Sequence, residues 1–288
     1  MTQLATRALA FASGDLSLEG VLHLPDVTPA PGVVVCHPHP QYGGDMDNNV
    51  VLAACRALAS RGFVALRFNF RGAGGSDGAF DQGLGERDAR AALGQLPGLP
   101  EVDAKRIGLV GYSFGAAVAA EVASGELRAL ALVSPPVAFS DLRVAWGCPA
   151  FVIAGDRDEF APGDRLRVIA EAPGVELRII PGADHFWWGF EAELGEALGA
   201  DLHSEALAEC WQYFCDQFQC VSNSKIAAVW QFCALPRGQL GLLDDTQRRT
   251  AQHRTVGKDL GDGRIELNKK FETVCLIHNT ATQPHRCG

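Results

Sequence analysis

Residues 106–121 read Arg106-Ile-Gly-Leu-Val-Gly111-Tyr-Ser113-Phe-Gly115-Ala-Ala-Val-Ala-Ala-Glu121. An apolar run enters a Gly-x-Ser-x-Gly pentapeptide, and small residues suited to a helix follow at once. A strand, a sharp bend and a helix in that order hold a serine on a strained turn, with its hydroxyl exposed above the sheet. The flanking glycines remove side chains where strand and helix pass close together. The pentapeptide alone is a weak signal, and its meaning depends on what surrounds it.

Working outward, the same alternation recurs. Residues 5–24 read as two strands joined by a turn at Ala12-Ser-Gly-Asp15, and a Pro-containing loop runs from Pro25 to Pro31. Gly32-Val-Val-Val-Cys-His37 is a short continuous apolar run of the kind buried on both faces of a parallel sheet. A helix is expected over Asp47–Arg61, with Asp47 or Asn48 as cap and Arg61-Gly62 as stop. Phe63–Phe70 is the next strand, and a Gly-rich loop at 72–78 leads to a helix over about Glu86–Leu96. Strands follow at 106–112, 128–134, 149–154 and 176–181, with helices at 113–125, near 163–172 and at 203–218. This spacing predicts an α/β fold, a mostly parallel twisted sheet with helices on both faces. Only about 15 residues follow the strand at 128–134 before the next, which leaves room for a minimal lid.

The chain has 288 residues, 47% of them hydrophobic and 20% charged, as expected for a soluble globular protein. Its net charge of −9 argues against nucleic acid and anionic membrane surfaces as partners. No apolar run approaches the ~20 residues that span a bilayer, and Met1–Asp15 alternates like a strand rather than a signal peptide. The expected location is cytoplasmic. Of the nine cysteines, Cys36, Cys55 and Cys148 lie in apolar segments, and six lie from Cys210 onward with no Cys-x-x-Cys pair. Reduced thiols are therefore expected. Residues 221–288 carry 10 Lys and Arg against 6 Asp and Glu, a balance of +4, while the preceding residues carry −13. Beyond a possible helix at Val221–Ala234 the αβ alternation stops. Residues 1–220 are read as the domain and 221–288 as a poorly ordered extension.

A serine nucleophile needs a base, and the base needs a carboxylate to fix its tautomer. On this architecture they follow in the order Ser, acid, His, in loops after later strands. Ala150-Phe-Val-Ile-Ala154 ends in Gly155-Asp-Arg-Asp158, and Glu176-Leu-Arg-Ile-Ile180 ends in Pro181-Gly-Ala-Asp-His185. Both loops fall at the carboxyl ends of parallel strands, where open α/β sheets place their sites. Asp158, further into its loop, is preferred to Asp156 as the acid, and Asp184 is read as a turn residue. His185 is the base. His23, His203, His253, His278 and His285 are read as solvated or structural.

His37-Pro-His-Pro-Gln-Tyr-Gly-Gly44 follows the first buried strand, where the second oxyanion donor is expected. Proline has no N–H, so the amides of His39 and Phe114 are the candidate donors. A metal on His37 and His39 is disfavoured, because no carboxylate lies at ligand spacing. Tyr42, Trp187 and Trp188 are candidate substrate contacts. With Phe186 included, three adjacent aromatics cannot all face one pocket, so at least one is expected in the core.

These motifs, together with Phe68-Asn-Phe-Arg-Gly-Ala-Gly-Gly-Ser-Asp-Gly78 and Gly-Asp-Arg-Asp-Glu-Phe160, resemble the small, lid-poor α/β hydrolases akin to dienelactone hydrolases, over about residues 5–218. The resemblance implies Ser113, Asp158 and His185 as the catalytic set. Dienelactone hydrolases proper use Cys where this chain has Ser113, which argues against that substrate. Arg71 is expected to bond backbone carbonyls beside the site, with anion binding as the alternative. The expected activity is hydrolysis of short-chain or small soluble carboxylic esters, with no cofactor or metal and a small-molecule ester as partner. Thioester or peptide hydrolysis, and an inactive binding module, are the alternatives. The sequence does not specify oligomeric state.

Overall fold

The computed structural model describes residues 4–199, together with two short strands at 257–259 and 265–267. The chain divides into two compact units, Met1–Trp211 and Gln212–Gly288. The helices expected at 203–218 and 221–234, the six cysteines from Cys210 onward, and His203, His253, His278 and His285 lie outside the described residues.

In the first unit β1 (Ala5–Ser13) and β2 (Leu16–Leu24) form a hairpin, and Gly14 at φ 65° takes the left-handed position of its turn. Then come β3 (Ala30–Cys36), α1 (Asn49–Ser60), β4 (Val64–Phe68), α2 (Gly85–Gln95), β5 (Val102–Tyr112) and α3 (Phe114–Val122). They are followed by β6 (Ala129–Val133), β7 (Ala150–Gly155), α4 (Gly163–Ile169) and β8 (Val175–Ile180). A helix at 191–199, not anticipated from the sequence, follows β8. The α1 N-terminus is capped by Asn48, whose side chain accepts from Val50 N–H.

The eight strands form one sheet in the order β1-β2-β4-β3-β5-β6-β7-β8, antiparallel at β1/β2 and β2/β4 and parallel thereafter. Because successive strand side chains face opposite ways, the central strands feed two cores. Val34, Leu66, Leu109, Leu132 and Val152 pack against α2 and α3. Val33, Val35, Ala65, Val110 and Ile153 pack against α1 and Leu194, Ala197 and Leu198 of the helix at 191–199. This two-sided burial explains why the strands read as apolar runs rather than alternations.

One feature of the order matters for function. The chain steps from β3 outward to β4 and then returns across β3 to β5. That reversal opens a crevice at the carboxyl ends of β3 and β5, the place where such sheets bind ligands. In the second unit the described strands, Gly257–Asp259 and Ile265–Leu267, pair antiparallel.

Candidate active site

Ser113 is the residue between β5 and α3, at φ 55° and ψ −118°. A non-glycine residue in that region is strained, and the surroundings hold it there. Its N–H donates to Val133 O of β6 at 3.0 Å, and its carbonyl accepts from Ala116 N–H at 2.9 Å and Ala117 N–H at 3.1 Å. Both glycines of the pentapeptide are required sterically. A Cβ on Gly111 would lie 2.1 Å from Gly115 O, and one on Gly115 would lie 2.3 Å from Cys36 O at the end of β3. The bend is thus pressed against the strand that carries the His37–Gly44 loop.

His185 Nε2 lies 3.0 Å from Ser113 Oγ, and its Nδ1 lies 2.9 and 3.1 Å from the two Asp158 oxygens. Asp158 and His185 are both buried. The Asp158 carboxylate also accepts from Phe160 N–H at 2.9 Å and Ala161 N–H at 3.0 Å. Burial alone would raise its pKa. The hydrogen bond and charge of His185, the Ser134 hydroxyl and the Phe160 amide outweigh that and hold the carboxyl below its ordinary value. Asp156 turns away, accepting from Gly182 N–H at 2.7 Å, and Asp184 accepts from Phe186 N–H at 2.9 Å within its own turn. The side chains of residues 113, 158 and 185, far apart in sequence, therefore meet at one point.

Three further residues hold this constellation. Tyr112 Oη, on the last residue of β5, donates to the carbonyl of His185 at 2.8 Å. Ser134, directly after β6, is fully buried at φ 47°. It accepts from Trp187 Nε1 at 2.9 Å and bonds Asp158. Trp187 is itself at φ 59° and fully buried, packed with Ala183 and Leu194. The expectation that Trp187 contacts substrate is therefore corrected: at 0% exposure it is a core residue whose indole N–H braces the acid loop. Trp188 and Tyr42 are exposed, at 71% and 88%, and the Tyr42 ring lies 4.9 Å from that of His39.

The loop after β3 divides its two histidines by role. His37 is fully buried, its Nδ1–H donating to Pro38 O at 2.6 Å while Nε2 accepts from Phe70 N–H at 3.0 Å. Burial pushes its pKa down to about 4, so it is a neutral structural link between two loops. His39 precedes the turn Pro40–Tyr42, and its ring contacts Phe80 and Phe114 at 4.7 and 5.0 Å between centroids. Phe114 is the first residue of α3, so its N–H has no acceptor within the helix. Gly44 is packed tightly here, since a Cβ on it would lie 2.2 Å from Pro38 O.

Arg71 departs from expectation. Its guanidinium does not bond backbone carbonyls but grips Asp88 of α2, Nε to Oδ2 at 3.0 Å and Nη2 to Oδ1 at 2.7 Å. The Arg71 amide and the Ser13 hydroxyl complete the shell of that carboxylate. This pair is buried and ties the 71–78 loop to α2. Among the described residues no group of three His, Cys, Asp or Glu side chains gathers to hold a metal ion, and no helix is long and apolar enough to cross a membrane.

Comparison with known proteins agrees with this architecture. The dienelactone hydrolase family model matches residues 18–222. An uncharacterised protein of Rickettsia prowazekii is 36% identical over 185 residues, spanning 59% of this chain and 77% of its own. An uncharacterised protein of Mycobacterium tuberculosis is 34% identical over 183 residues, 54% of this chain and 63% of its own. Among solved structures, an alpha-beta serine hydrolase homologue from Coxiella burnetii superposes with TM-score 0.62 at 33% identity, covering 68% of this chain and 97% of that one. A serine hydrolase without a lid from Xanthomonas campestris gives TM-score 0.60 at 31% identity, covering 71% and 96%.

Proposed function

The chain belongs to the dienelactone hydrolase family of α/β hydrolases, and from that premise we propose that it hydrolyses carboxylic esters with Ser113 as nucleophile, His185 as base and Asp158 as the acid that orients it. The observation that carries the reading is the continuous contact from Ser113 Oγ to His185 Nε2, at 3.0 Å, and from His185 Nδ1 to Asp158, at 2.9 Å.

His185 Nε2 takes the Ser113 proton as Oγ attacks the ester carbonyl carbon. Asp158 holds Nδ1–H, and so selects the tautomer whose Nε2 is free to accept, and stabilises the imidazolium. The tetrahedral oxyanion accepts hydrogen bonds from Phe114 N–H and His39 N–H. When the carbon–oxygen bond to the alcohol breaks, the imidazolium returns its proton to the departing oxygen. Water, deprotonated by His185, then attacks the acyl-serine, releasing the carboxylate and restoring Ser113. No cofactor enters this cycle. Among the described residues the connection after β6, residues 134–149, is short and supplies no large cover, which favours small esters.

The test pairs a fluorophosphonate probe with a panel of esters, thioesters and amides. Wild type should be labelled and Ser113→Ala should not, and acetate and butyrate esters should give higher kcat/KM than octanoate. Absence of labelling in the wild type would favour a non-catalytic binding module. A thioester or amide preference would move the reading to another acyl substrate of the same site.

A further inference from the structure

The imidazole of His185 has an inner and an outer side, and they differ. On the inner side lies Tyr112, buried in the core, with ring centroids 5.6 Å apart. On the outer side lie Phe160, at 4.5 Å, and Phe186, edge-on at 5.7 Å. Phe139 continues the surface, 5.3 Å from Phe160. These rings come from three separate loops. In chain order the first two loops are joined by backbone, since Ala138 N–H donates to Phe160 O at 3.0 Å, and the second and third meet where Asp158 bonds His185. Phe139 and Phe186 nevertheless remain 73% and 53% exposed. An aromatic ledge left in water beside a reactive group is the signature of a ligand contact.

The direction of proton transfer decides which half of the ester it meets. His185 must deliver its proton to the departing alcohol oxygen, so that oxygen lies against Nε2, and the group attached to it lies against whatever flanks the outer side of the imidazole. The acyl chain leaves the tetrahedral carbon elsewhere. Resting on the ester-hydrolase reading above, we propose that Phe139, Phe160 and Phe186 form the alcohol-side subsite, and that the substrates are esters of short acids with aromatic or other flat apolar alcohols. Offset and edge-to-face contacts with three rings favour such a group over a small alkyl one.

The experiment compares kcat/KM for three esters on the full chain: ethyl acetate, benzyl acetate and ethyl phenylacetate. The two alcohols are of similar acidity, so leaving-group chemistry does not separate them. Benzyl acetate should exceed ethyl acetate by about tenfold or more. That ratio, which a uniform change in Ser113 reactivity does not alter, should fall about fivefold in Phe139→Ala/Phe186→Ala, with fluorophosphonate labelling measured on both proteins. Equal rates for benzyl and ethyl acetate overturn the proposal while leaving the hydrolase reading standing, as does a ratio that survives the double substitution. A preference for ethyl phenylacetate that disappears in the variant assigns the ledge to the acyl group and likewise overturns it. No turnover of any ester and no fluorophosphonate labelling removes both readings together.

Discussion

Ser113, Ser134 and Trp187 are the three non-glycine residues with positive φ among those described, and all three converge on Asp158 and His185. Strain of that kind persists only where neighbours over-determine it. On the proposed mechanism, Ser113→Ala should lower kcat by about 10⁴-fold or more with the fold intact, measured by steady-state kinetics beside thermal melting. Ser134 acts one step away, its hydroxyl accepting from the Trp187 indole N–H and bonding Asp158. Ser134→Ala and Ser134→Gly should each lower kcat about tenfold with KM little changed, since the imidazole is then less well oriented. Glycine relieves the φ of 47° and alanine does not. If Ser134→Gly keeps full activity, backbone strain rather than the hydroxyl is what matters there.

At the scale of elements, the active bend depends on how closely β3, β5 and α3 pack. Gly115 has backbone oxygens of Cys36 and His37 within 2.3 and 2.6 Å of where a Cβ would stand. Neither oxygen can withdraw without moving β3. Gly115→Ala should therefore cost more than the 1–3 kcal/mol typical of overpacking, and fluorophosphonate labelling should fall with it. The Arg71–Asp88 pair makes a second such joint, between the Gly-rich loop and α2. Removing one partner of a buried, fully bonded pair leaves an uncompensated charge, so Asp88→Ala should destabilise by about 3–5 kcal/mol in denaturant titrations. A loss under about 1 kcal/mol would mean that solvent reaches Arg71 more readily than its burial implies.

For the molecule as a whole, both described hydrophobic cores and the contact from Ser113 through His185 to Asp158 belong to the first unit. A chain ending at residue 222 should keep kcat/KM within about threefold of the full chain, as a domain with its own cores does. A collapse in activity would give the second unit a role in the site. Acid stability follows from two buried histidines. His23 accepts from Arg67 Nε at 3.0 Å. Burial lowers both His23 and His37 from 6.5 to about 4, and at His23 the charges of Arg67 and Arg56 add to it. The folded protein keeps both neutral down to about pH 4, whereas the unfolded chain takes up their protons from about 6.5 downward. Stability is therefore full above about pH 6.5 and falls as pH drops toward 4. Melting temperature should decline over that window, and His23→Gln, which keeps an acceptor for Arg67, should flatten part of the slope. A melting temperature unchanged between pH 7 and 5 contradicts this.

Much of the fold was legible because its signals are local. Apolar runs between capped helices marked the strands of the parallel sheet, and Gly111 and Gly115 marked the bend. The order Ser113, Asp158, His185 along successive strand ends was also readable, since each strand end delivers one side chain to the same edge. The helix at 191–199 was not anticipated, and although at least one ring of the aromatic run at 186–188 was expected in the core, spacing alone did not say which one. Phe186 flanks the imidazole, Trp187 is sealed in the core and Trp188 stands in solvent. Nor does any motif distinguish Ser134, Tyr112 or Phe139, whose partners are 53, 73 and 21 residues away in sequence. Chain order fixed which chemical groups reach the edge of the sheet, because backbone periodicity and turn sterics act between neighbours. Which of them touch, and which face water, was decided only when the sheet and its loops closed on each other, because packing acts between residues that are near in space alone.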